Sequence, residues 1–182
     1  MSSNVPINLA TGLLRVAVGA VFIAHGSQKL FGWFGGGGIA GVGRGMHMMG
    51  FRPGERHATI AGLIETGGGA ALALGLATPA AGASTAIAMG VAAGAQASNG
   101  FFASKNGLEY PAVLGLAAAS FALGGAGHFS LDAATGRLLD KGWMRALGLI
   151  AIPIAIAVQL GRRHATLKNE LELAHDEDSA TN

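Results

Sequence analysis

The chain has 182 residues, of which 51% are hydrophobic and 12% charged, and its mean hydropathy is +0.46. A sequence this poor in charge lacks the side chains to cover a water-exposed surface, so it is expected to form one integral membrane domain with no soluble catalytic domain beside it. It contains no cysteine, which excludes disulfides, zinc-thiolate sites, iron–sulfur clusters and thiol relays within the chain.

Five apolar runs approach the ~17–25 residues that a helix needs to cross a hydrocarbon core. The first, Asn8 to Lys29, has no basic residue ahead of Arg15 and no small-residue cleavage site behind it. It is expected to be a retained span and not a signal peptide. The glycine-rich stretch from Gly35 to Arg56 carries Gly36, Gly38 and Gly41 in dinucleotide-fingerprint spacing. A fingerprint needs a strand before it and a crossover helix after it, and neither is predicted. The later part of this stretch, with Met46, Met48, Met49 and Phe51, predicts a short interfacial helix and a turn.

The second and third runs, His57 to Ala77 and Ala80 to Ser98, are separated only by Thr78 and Pro79, which predicts a tight antiparallel hairpin. The fourth, Tyr110 to Ala126, opens on Glu109, Tyr110 and Pro111, with the proline in a tolerated first turn. The fifth, Met144 to Gly161, contains Pro153 and is expected to kink there. Leu160, Leu167, Leu171 and Ala174 then continue it as an amphipathic stem, and the acidic tail from Asp176 to Asn182 is expected to be disordered.

Glycine numbers 31, with Gly12, Gly19 and Gly26 every seventh residue in the first run and Gly90 and Gly94 as a GxxxG pair in the third. Small residues let membrane helices approach backbone to backbone, so these are expected to be packing seams. Through His164, eleven Lys and Arg stand against five Asp and Glu. That excess suits anionic lipid headgroups; the bases form no stripe, so nucleic acid is not an expected partner. In a five-span arrangement Lys29, Arg44, Arg52, Arg56, Lys105, Arg162, Arg163 and Lys168 share one side, against Arg137, Lys141 and Arg145 on the other. The positive-inside rule then puts the C-terminus in the cytoplasm.

An ionisable residue inside a span costs on the order of 2.5–3.5 kcal/mol and so needs a partner or a purpose. Arg15 shares a small face of the first helix with Gly12, Gly19, Phe22, Gly26 and Lys29, and Glu65 lies on a small face of the second span with Ala58, Ala61, Gly62, Gly68 and Gly69. With antiparallel spans, their backbones differ in depth by under ~10 Å, so an Arg15–Glu65 pair is expected. His25, Gln28 and Lys29, then Gln96 and Asn99, then Glu109 and Tyr110 reach the same end of the bundle from three helices. An apolar body with a few convergent polar groups is a small-molecule site. His25 and His57 reach similar depths, but there is no CxxCH motif and no second histidine deep within a span, so neither haem nor another metal is expected.

The string from His25 to Gly38, HGSQKLFGWFGGGG, resembles the signature of the DoxX family of bacterial membrane proteins. The resemblance extends through Leu14, Arg15, Val16 and Gly19 ahead of it, and through Gly50, Phe51 and Pro53. It continues in Gly62, Glu65, Gly68, Gly69, Leu74, Gly75, Leu76, Thr78 and Pro79, and in Asn99, Gly100, Phe101, Glu109, Tyr110, Pro111, Ser130, Leu131 and Asp132. It implies an all-α transmembrane four-helix bundle over residues 1–132, to which this chain adds a linker and fifth transmembrane helix over 133–164 and a cytosolic acidic tail over 165–182. It also implies a multi-pass protein of the bacterial plasma membrane, a subunit of oxidoreductase systems that reduce quinone or resist oxidative stress.

The expected function is therefore a membrane subunit of an oxidoreductase assembly, with other protein subunits as partners and no intrinsic cofactor. A quinone or similar small molecule is expected among Arg15, His25, Gln28, Lys29, Glu65, Gln96 and Glu109. The competing expectation is a non-enzymatic scaffold or anchor whose polar cluster is structural.

Overall fold

The computed structural model describes residues 5–180. Seven α-helices follow one another as α1 (Val5–Phe31), α2 (Gly38–Met48), α3 (Gly54–Leu74), α4 (Thr78–Gln96), α5 (Glu109–Gly124), α6 (Leu131–Ala134) and α7 (Gly142–Ala180). There is no strand among the described residues, and α1, α3, α4 and α5 form the expected four-helix bundle with α7 as a fifth long helix beside it.

Glycine sets how these helices approach. A methyl group at Gly19 would stand 2.5 Å from the Gly69 carbonyl oxygen and 2.8 Å from the Ala73 nitrogen, and one at Gly26 would meet Thr66 and Gly62. These positions run in opposite directions along α1 and α3, so the two helices are antiparallel with their backbones in contact. Gly82 does the same for α4 against Ala118 and Ala122 of α5. The predicted GxxxG pair faces the fifth helix: Gly90 lies against Ile156 and Gly94 against Leu160, while Gly148 of α7 abuts Ala83 and Pro79. Both sets of positions rise together, so α4 and α7 run parallel. The apolar core, centred on Phe22, Leu72, Met89, Leu114 and Phe121, fills the space between the seams.

The α3–α4 hairpin turns one step earlier than expected. Thr78 and Pro79 open α4, and the reversal is made by Gly75, Leu76 and Ala77. Gly75 takes the left-handed conformation at φ 66° that closes a helix, with Leu76 N–H donating to Ala71 O at 2.9 Å. Asp132, buried in the short α6, then caps α4: its carboxylate accepts from the Ala77 and Thr78 amides at 2.8 and 2.9 Å. Its own amide donates to Gly75 O at 2.8 Å, so this end of the bundle is tied from both sides.

One expectation about the C-terminal part changes. Pro153 stands inside α7 without ending it, and the helix continues to Ala180, so the tail from Asp176 is helical over its described part. Continued i,i+4 pairing, as between Lys168 and Glu172 at 3.5 Å, supports a solvated helix where charge alone suggests disorder. The boundary drawn at 164–165 thus falls within one helix, and Thr181 and Asn182 lie outside the described residues.

Candidate functional site

The antiparallel seam determines which polar groups meet. Gly62 abuts Lys29, where an added methyl would lie 3.3 Å from Lys29 Cβ, and Glu65 is about one turn further along α3. The Lys29 chain spans that turn, and its Nζ donates to Glu65 Oε2 at 2.5 Å. The Glu65 side chain is 2% exposed and that of Lys29 20%. Beside the pair the rings of His25 and Tyr110 pack with centroids 5.1 Å apart, bringing α5 onto α1 at this level.

These side chains line a cavity of about 560 Å³. Ile60, Ala61 and Ile64 of α3 face Ile87, Ala88, Val91 and Ala92 of α4 across it. Met46 and Met49 cover the α2 end with Phe51, and Gln159 enters from α7. Lining positions run from His57 to Glu65 on α3 and from Ile87 to Gln96 on α4, so the cavity is ~12–14 Å long parallel to the helices. It has apolar walls, a charged pair at its deep end and His57, Gln96 and Gln159 along its length.

Of the expected site residues, His25, Lys29, Glu65 and Gln96 come together in this cavity, whereas Arg15, Gln28 and Glu109 do not line it. The Arg15–Glu65 pair is not formed. The glycine seam shifts α1 against α3 by about one turn from the register that the ends of the apolar runs suggest. Arg15 therefore packs on Gly75, ten residues and ~15 Å along α3 from Glu65. There its Nη1 donates to Ala126 O at 2.6 Å and its Nη2 to Phe129 O at 2.7 Å. Gln28 donates to Phe34 O at 3.4 Å, and Glu109 accepts from the Ala103 amide at 2.9 Å, each closing a local loop.

Besides Tyr110, which the sequence already places at this end of the bundle, the polar lining residues outside the expected site are His57 and Gln159. His57 stands four and eight residues before Ala61 and Glu65, on the same helical face, and that spacing is the sequence signal for it. Gln159 is an isolated amide in the apolar part of α7, and nothing in the sequence ties it to α3.

The end that holds Arg15 is a different kind of place. Asp140, 3% exposed, accepts from Arg137 at 2.9 Å, from Arg145 at 2.8 Å and from the Ala126 amide at 3.3 Å. Burial pushes the Asp140 carboxyl up, but the hydrogen bonds from Arg145 and Ala126 and the charges of Arg145 and Arg137 outweigh it and hold it below the ordinary aspartate value. Every carboxylate there is spent on backbone or arginine, so this end ties the loops, and the smaller hollow beside it, about 390 Å³ between Asn8, Thr11, Ser120 and Gly124, is lined by no ionisable side chain.

Helices α1 and α7 are long and apolar enough to cross a bilayer, and the fold is that of an all-helical membrane protein. The family model described as DoxX matches residues 10–97, from the first turns of α1 to the end of α4, and this match supports a DoxX family protein. That family consists of membrane proteins often associated with oxidative-stress or redox-related functions. No curated protein and no solved structure matches the chain.

Proposed function

We propose that this chain is a multi-pass subunit of an oxidoreductase assembly in the bacterial plasma membrane, and that its cavity holds a quinone headgroup. The observation that carries the reading is the Lys29–Glu65 pair at the deep end of an apolar cavity of about 560 Å³, within the ~300–1,000 Å³ usual for small-molecule sites. A buried ion pair is weak evidence for stability and calls for a role.

The residues present fit such a group. A quinone ring needs flat apolar walls and hydrogen-bond donors at two carbonyl oxygens. Ile64, Ile87 and Val91 supply walls, while Lys29, His25, Tyr110 and Gln96 supply donors. When bound, a quinone supplies two-electron, two-proton acceptor chemistry. Lys29 offsets negative charge at the deep end, Glu65 keeps Lys29 in place, and the His25 ring presents a hydrogen-bonding nitrogen beside them. A thiolate-held redox centre would have to sit on another subunit, because this chain has no cysteine.

The basic residues support an orientation. Lys29, Arg44, Arg52, Arg56, Lys105, Arg162, Arg163 and Lys168 belong to the cavity end, which by the positive-inside rule faces the cytoplasm among anionic lipids. Purification in a mild detergent, followed by identification of the proteins and lipophilic molecules that co-purify, tests the reading. A quinone together with a redox-active subunit is the expected result. Recovery with structural proteins alone and no quinone favours the scaffold role instead.

A further inference from the structure

The part of α7 beyond its apolar stretch lies outside the DoxX match, yet it reaches back to the cavity. Gln159 lines the cavity itself. One turn on, Arg163 donates from Nε to Met49 O at 2.7 Å and sets its guanidinium 5.8 Å from the centroid of Phe51. Leu167 packs on Gly50, which at φ 87° is held in a conformation suited to glycine. Arg52 pairs with Glu170 at 2.5 Å. Positions 163, 167 and 170 share one face of the helix. That face therefore grips the four consecutive residues from Met49 to Arg52, and Met49 and Phe51 among them cover the α2 end of the cavity.

We propose that this stretch of α7 is a strap that fastens the α2–α3 turn over the cavity, so that solutes reach the deep end when the strap loosens. The fastenings suit a device that opens. The ion pair is more than a third exposed on both sides or close to it, at 39% and 34%, and the cation lies over an aromatic ring at the rim; contacts of this kind are individually weak. None of them belongs to the glycine seams that hold the bundle together, so the strap can release without the bundle unfolding. Its consequence for ligand entry rests on the proposed reading of the cavity, but the strap itself is testable without any ligand.

The chain has no cysteine, so Ile64→Cys gives a single thiol on the cavity wall. Its rate of reaction with a charged, water-soluble methanethiosulfonate reagent is measured on the full chain in lipid nanodiscs. Arg163→Ala is expected to raise that rate on the order of tenfold, as loss of a charge-assisted hydrogen bond would. Arg52→Glu is expected to raise it several-fold, and the swap Arg52→Glu with Glu170→Arg to return it to the parent rate. Should Arg163→Ala fail to fold, the half-exposed swap pair decides. Unchanged rates in the single variants overturn the strap, as does a rise in Arg52→Glu that the swap leaves in place.

Discussion

Lys29 meets Glu65 across the α1–α3 seam, Nζ to Oε2 at 2.5 Å, with the carboxylate closed off from the surface. Removing one member leaves the other charged and unpaired in a low-dielectric setting, at a cost of roughly 3–5 kcal/mol for a buried pair. Lys29→Met and Glu65→Gln should each lower thermal stability in detergent, and the double variant should lose less than their sum. Arg15→Met combined with Glu65→Gln should be additive within about 0.5 kcal/mol, because the two residues share no partner. Coupling between Arg15 and Glu65, with additivity between Lys29 and Glu65, would mean that the register described for the seam is wrong.

That seam makes its own prediction. A side chain at Gly69 meets the Gly19 carbonyl oxygen and Phe22 Cβ, both at 2.7 Å from its first carbon, whereas Gly67 has open space around it. Gly69→Val should therefore destabilise the bundle by at least the ~1–3 kcal/mol of an overpacked core. Gly67→Ala should be neutral or slightly stabilising, since alanine is the better helix former. Equal effects at the two positions, read from thermal unfolding, would argue against contact between α1 and α3.

Much of this was legible in the sequence, for a physical reason. The seven-residue spacing of Gly12, Gly19 and Gly26 marks the buried side of α1, and the GxxxG pair of α4 marks where another helix docks. Arg15 and Glu65 stand out because charge within an apolar run is costly, and Lys29 is marked by closing the first run beside His25 and Gln28. The pairing was not legible, because the ends of apolar runs locate helices only to within a turn, and one turn decides whether Glu65 meets Arg15 or Lys29. Gln28 and Glu109 look like site residues by their position near helix ends, yet their hydrogen bonds are local, to Phe34 and Ala103. Such bonds depend on loop conformation, which spacing does not encode.

At the opposite end, Asp140 links stability to pH. Its folded-state value lies below the ordinary 3.8, so its contribution is fully present above that value and is lost as pH falls through the folded value. The melting temperature of the parent chain should fall on acidification through the carboxylate range. Asp140→Asn should start lower at neutral pH and fall less steeply. Parallel curves for the two proteins would show that Asp140 is not held by Arg137 and Arg145.

The cavity beside Lys29 and Glu65 is proposed to bind a quinone-like molecule. Native mass spectrometry of the purified chain with a short-tailed ubiquinone compares the parent with Ala92→Phe, which fills the cavity from its apolar wall and leaves every polar side chain of the site in the sequence. One bound quinone in the parent, lost in Ala92→Phe while thermal stability is retained, is the predicted result. No binding to the parent, or equal binding to both, would contradict it.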